Sequence, residues 1–362
     1  MPGGGEKPVD VQGEGHAGRR ERRGHQRVKG SMVPEAEFAS YYGRPILKKP
    51  TWKNPDVPLY LWVGGIAGTS AVAAALGDVT GRPMLRRGGR LVATGGAMAG
   101  TVALIHDLGR PTRFLNMLRV IKPTSPLSIG SWILTPFAGL AAASAASELT
   151  GIAPRLGRLA GFGAAFLGPP LASYTGVLLA DTAVPAWHEA GNELPLLFAA
   201  SGAAAGAGAQ LVVTGLTGSE RRERMPMVRL AVAGAAAEIA VGELLERRLE
   251  RLPGDIAGAY RTGKAGRWNR AARILTAAGG LGALLAGPAI RRGRLTVVAS
   301  GAALAAGSLA TRFAAFEAGM ASAADPQHVV VPQRERKDRH EQAHHGGSWL
   351  EDERSTSPVP RS

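Results

Sequence analysis

The chain has 362 residues, a formal net charge of +15 at pH 7 and no cysteine. The absence of Cys excludes disulfides, thiolate-ligated iron–sulfur clusters and cysteine zinc sites. The positive charge does not mark a nucleic-acid binder, because the basic residues flank long apolar stretches, as they do in membrane-protein loops.

The mean hydropathy of +0.00 hides a sharp division. Charges crowd into residues 1–57, residues 325–362 and short connections, and the stretches between are nearly uncharged. Residues 1–37 are rich in Gly, Arg and Glu and read as a disordered polar tail. They lack an apolar h-region, so no cleavable signal peptide is expected and the first span directs insertion. A transmembrane domain is expected over 38–324, opening with an approach segment from Tyr41 to Pro58. Its spans fall at about 58–77, 90–107, 129–148, 159–181, 194–216, 227–246, 271–290 and 295–316, each near the ~20 residues that cross a bilayer. Residues 325–362 form a second polar tail. The expected fold is therefore all-α and polytopic, with about eight transmembrane helices. The 50 glycines suit close helix approach in lipid. Small-xxx-small spacing occurs at Gly64–Gly68, Gly96–Gly100 and Gly202–Gly206.

An even number of spans puts both termini on one side. The connection 182–193 carries Glu189 and Glu193 and no Lys or Arg. The alternate connections are basic, with Arg82, Arg86, Arg87 and Arg90, then Arg155 and Arg158, then Arg221, Arg222 and Arg224, then Arg291, Arg292 and Arg294. The positive-inside rule places these in the cytoplasm and both termini on the outer face of the plasma membrane. Segments 107–128 and 247–270, also basic, run against that assignment.

Several residues at membrane depth or its edge bear chemistry. His106 and Asp107 close the second span, where the imidazole can hydrogen-bond a ligand oxygen and relay a proton. The alternative is a helix-end cap with an Asp107–Arg110 pair. Tyr174 follows Pro169-Pro170, which should kink the fourth span and free backbone carbonyls; its phenol can donate a hydrogen bond to a ligand or anchor an interface. Tyr60 and Trp62 fit an aromatic belt as well as a site. Asp181 and His188 bracket the outer end of the fourth span. Glu238 lies near the middle of the sixth, where it serves a proton path or stays neutral and buried. Arg312 and Glu317, near the end of the last span, are expected to snorkel to the interface. No metal site, phosphate loop or nucleophile triad is present. Of eight His, only His106 and His188 lie near membrane depth, too few for a two-haem cytochrome.

The connecting segments carry a family likeness. Tyr41-Tyr42-Gly43-Arg44-Pro45 comes first, with Trp52 and Tyr60, followed by His106-Asp107-Leu108-Gly109-Arg110-Pro111 with Arg113-Phe114. Next are Pro123-Thr124-Ser125-Pro126 with Gly130-Ser131-Trp132, then Ser173-Tyr174-Thr175-Gly176, and last Thr182-Ala183-Val184-Pro185 with Trp187. In order and spacing, over roughly 41–200, they resemble the NrfD/PsrC family, the membrane subunit of polysulfide-reductase-type complexes. The resemblance implies two four-helix bundles and no haem, iron–sulfur cluster or metal in this chain. It implies exchange of electrons between a membrane quinone, menaquinone or another, and an iron–sulfur partner that feeds a molybdopterin catalytic subunit. On it, Tyr174, His106, Tyr60 and Asp181 are candidate quinone contacts, and His106, Asp107 and Glu238 candidate proton carriers. Two other readings stay open: a secondary transporter with Glu238 as a midplane carboxylate, and a purely structural membrane anchor.

Overall fold

The computed structural model describes residues 47, 48, 50–110, 112–286 and 293–335. The tail at 1–37, the segment Tyr41–Pro45, Pro111, the end of the seventh expected span, Arg291, Arg292 and the chain beyond 335 lie outside them. Among the described residues there is no strand.

The helices are α1 (Asp56–Thr80), α2 (Pro83–Leu108), α3 (Thr112–Arg119), α4 (Pro126–Thr150), α5 (Pro154–Ala180), α6 (Pro185–His188), α7 (Glu193–Thr217), α8 (Arg221–Glu250), α9 (Gly258–Arg261), α10 (Gly263–Ala286) and α11 (Arg294–Ala324). Each of the eight expected spans has its long helix. The boundaries lie outside the apolar runs because helical hydrogen bonding continues into charged ends, as at Arg86, Arg87 and Arg90 in α2. Residues 327–335, within the stretch read as tail, are also helical. Helix starts and stops follow local chemistry. Pro83, Pro126 and Pro154 stand in the first turn of α2, α4 and α5, where a missing N–H is harmless. Gly81 and Gly151 end α1 and α4 in the left-handed region, returning their amides to the Gly77 and Ser147 carbonyls.

Six of these helices (α1, α2, α4, α5, α7 and α11) are long and apolar enough to cross a membrane. α8 and α10 fall outside that set: α8 carries Glu238 at its middle and charges at both ends, and α10 carries Lys264, Arg267, Arg270 and Arg273. Large apolar side chains remain exposed along the outer faces, Met98, Val102, Phe166, Leu196 and Leu281 among them, as lipid-facing surface requires.

The long helices close two rings. In the first, α1 packs on α2, α2 on α4, α4 on α5 and α5 back on α1; in the second, α7 packs on α8, α8 on α10, α10 on α11 and α11 on α7. α7 also packs against α1 and α5, joining the rings. Glycines form the seams. A Cβ on Gly68 or Gly168 would run into the other's carbonyl, joining α1 to α5. Gly65 meets Gly202 between α1 and α7, and Gly208 meets Gly301 between α7 and α11. Of the small-residue pairs expected from spacing, Gly68, Gly96, Gly100, Gly202 and Gly206 are at contacts, and Gly64 faces open space.

Candidate functional site

The antiparallel pairing of α1 and α2 brings the first turn of α1 beside the last turn of α2. An acid at a helix N-terminus and a histidine at a C-terminus are each favoured by the helix dipole, and here they meet. His106 Nδ1 lies 2.7 Å from Asp56 Oδ2, with the imidazole 72% exposed and the carboxylate 15%. Asp107 Oδ1 accepts the Lys53 backbone N–H at 2.9 Å, and Lys53 Nζ donates to the His106 carbonyl at 2.9 Å. Asp107 thus fastens the approach segment, rather than making the alternative pair with Arg110.

Tyr60 follows Asp56 by one helical turn and stands on the same face of α1. Its hydroxyl lies 2.9 Å from that of Tyr174 on α5, and both side chains are buried. Gly130, one turn into α4, makes room for the pair, since a Cβ there would run into the Tyr174 ring. Tyr60 is therefore a buried partner of Tyr174 and not a belt residue. α5 runs unbroken through Pro169-Pro170, and Ser173 Oγ donates to the Pro169 carbonyl at 3.1 Å. Tyr174 sits about 9 Å, six residues, from the end of α5. The arrangement is a short ladder, with an acid–imidazole pair at the rim and a phenol pair one turn deeper.

Asp181 stands apart from that ladder. As the C-terminal cap residue of α5 it lines, with Thr182, His188, Glu189 and His328, a cavity of about 450 Å³ whose lining includes neither Tyr174 nor His106. Between the two lies a clamp built on Trp187. Its indole is fully buried, donates to the Ala315 carbonyl at 2.6 Å and stacks on Trp52 at 5.4 Å. With Asn54 donating to Glu317 at 2.7 Å, this clamp ties the segment before α1 to the end of α11.

Glu238 lies in the second ring, buried. Thr311 Oγ1 donates to one carboxylate oxygen at 2.6 Å and Thr276 Oγ1 to the other at 3.3 Å. Beside it is a void of about 40 Å³ reaching Asn269 and Arg273, enough for one or two waters. Arg312 overturns the snorkelling expectation. It is fully buried, its guanidinium 3.9 Å from the Phe198 ring centroid and donating to the Phe198 carbonyl at 2.9 Å. The apolar run ends near 316, but α11 continues to Ala324, so Arg312 is well inside the helix. Its charge is within Coulombic range of Glu238.

The residues passed over in sequence are those whose partners are distant. Asp56 gave one signal, its i, i+4 spacing to Tyr60. Lys53 gave none. Arg90 looked like a loop residue but is 5% exposed, held by Asp78 and Glu148.

The fold and its apolar surface define an all-α, multi-pass membrane protein. Residues 51–324 match the family described as Polysulphide reductase, NrfD, and the chain belongs to that family. Its members are membrane subunits of molybdopterin oxidoreductase complexes. Comparison with curated proteins gave no match.

Proposed function

We propose that this chain is the quinone-reactive membrane subunit of a multi-subunit oxidoreductase, exchanging electrons with an iron–sulfur partner that serves a molybdopterin subunit. The observation that carries the reading is the buried Tyr60–Tyr174 hydroxyl pair, one turn below the Asp56–His106 pair. Within the pair one phenol donates and the other accepts, and the accepting phenol still has its own O–H to give to a head-group oxygen while the pair stays hydrogen-bonded. Quinol oxidation releases two protons and two electrons, and quinone reduction takes up the same. Imidazole and carboxylate at the rim accept or return the protons. The electrons pass to the partner, since a chain without cysteine has no thiolates for an iron–sulfur cluster of its own.

The same face offers the partner a surface. α3 buries none of its residues, and Val120 and Ile121 beyond it are 58% and 70% exposed. This face carries the ladder and the connection 182–193, and it is the outer one by the charge argument, with both termini on that side of the plasma membrane.

The test is purification in mild detergent with whatever subunits accompany the chain, followed by turnover with a short-chain quinol. Iron–sulfur absorbance and extractable quinone should co-purify. Tyr174→Phe and His106→Ala should each lower quinone-linked turnover at least about tenfold, with protein level and subunit stoichiometry preserved. Parental rates in both variants would remove the site.

A further inference from the structure

At the opposite ends of the first-ring helices is a cluster with an excess of positive charge. Arg86 forms two bonds to Glu148, each 3.0 Å. Arg90 reaches Asp78 at 2.6 Å and Glu148 at 2.9 Å. These two carboxylates are matched by two arginines, yet Arg155 and Arg158 line the same cavity of about 370 Å³. Arg158 holds Asp78 only loosely, at 3.9 Å with its side chain 53% exposed. Arg155 is exposed and has no side-chain partner among the described residues.

Two further features point the same way. α5 begins here with Ala153 as its cap residue and no side-chain cap, so the positive end of its dipole faces the cavity. Arg90 Nε and Ser144 Oγ, both buried beside Gly161, have no hydrogen-bond partner among the described residues. Below the arginines, Leu159 and Phe166 follow Arg155 down one face of α5 and are 65% and 80% exposed.

We infer that this cavity binds the phosphodiester head group of an anionic phospholipid, with its acyl chains lying along Leu159 and Phe166. A lining of four arginines against two carboxylates, net +2, selects an anion at head-group depth, and basic pockets between membrane helices are suited to such heads. The apolar stripe directly below the arginines favours a lipid over free phosphate, which has no use for it. The site is independent of the quinone reading, being at the other ends of the helices.

The delipidated full chain, titrated with phosphatidylglycerol, phosphatidylcholine or inorganic phosphate and read by native mass spectrometry, tests this. One phosphatidylglycerol should be retained in preference to phosphatidylcholine, and millimolar phosphate should not displace it. Arg155→Gln/Arg158→Gln should lower retention at least about tenfold with an unchanged melting temperature in detergent. If the double variant melts early, Arg155→Gln alone, at an exposed and unpaired position, should still weaken retention. Arg87→Gln, on the exposed face of α2, should change nothing. Equal retention of phosphatidylcholine, parental retention in the Arg155→Gln variants, or the same loss in Arg87→Gln overturns the site. Displacement by phosphate with no effect of Phe166→Ser would make it a free-anion site and overturn the lipid assignment.

Discussion

The hydroxyls of Tyr60 and Tyr174 lie 2.9 Å apart in a buried contact between residues 114 positions distant in the chain. Neither phenol has another hydrogen-bond partner within the described residues, so each depends on the other. Tyr60→Phe should leave Tyr174 unpaired, costing roughly 1–3 kcal/mol locally, and should lower quinone-linked turnover by about an order of magnitude. Steady-state rates over a quinol concentration series, normalised to folded protein, check this. Full activity would make the pair a packing contact.

Gly130 gives a steric test of the same pair. A methyl at this position would run into the Tyr174 ring. Gly130→Ala should therefore impair turnover much as Tyr174→Phe does, with at most about 1–3 kcal/mol lost in stability. Wild-type kinetics with wild-type melting would show that the ring position does not matter.

Glu238 and Arg312 are both buried in the second ring, without a direct bond between them but near enough for their charges to interact. Arg312→Met leaves the carboxylate without its compensating charge, and the folded yield should fall several-fold. Glu238→Gln/Arg312→Met should recover part of that yield, by a coupling of roughly 0.5–3 kcal/mol. Glu238→Gln alone should assemble normally and slow turnover with an altered pH profile, as expected of a proton carrier. An unchanged rate and profile would assign Glu238 to structure alone.

The glycine seams predict contrasting effects of one substitution. Gly168→Ala places a methyl against the Gly68 carbonyl and should destabilise by roughly 1–3 kcal/mol or more. Gly64→Ala enters open space and should be neutral or slightly stabilising. Melting curves in one detergent, measured side by side, decide it.

The proposed sidedness rests on the charge asymmetry of the connections. Ser219→Cys and Val120→Cys place single thiols in a Cys-free chain at opposite helix ends. An impermeant thiol reagent should label Val120→Cys in intact cells and reach Ser219→Cys only after lysis. The reverse pattern would invert the orientation.

The long helices could be read from sequence because uninterrupted apolar runs leave few alternatives in a bilayer. α3 could not, since eight residues with charges at both ends look like any polar connection. Tyr174 and His106 stood out by residue type and neighbourhood. Tyr60 was a candidate too, but its pairing with Tyr174 was not legible and Asp56 was passed over, because a hydrogen bond between separate helices leaves no periodicity in either one. Arg312 was misread for a different reason: hydropathy marks where an apolar run ends, and α11 continues beyond that point. Asp181 shared a membrane face with the ladder, as alternating spans require, but depth alone does not set which way a residue points around its helix.

The contacts Gly68–Gly168, Gly65–Gly202 and Gly208–Gly301 also bear on what the molecule can do mechanically. Alternating access works by rocking one half against the other around a central site, and side-chain interfaces tolerate such sliding because rotamers can follow. Backbone lying on backbone has no rotamers to adjust. Rotation of the α7 ring against the α1 ring would separate the Gly65–Gly202 seam or drive its carbonyls together. The joined rings are suited to holding fixed distances, as the proposed passage of electrons to a docked partner would require, and poorly suited to opening first to one side and then to the other.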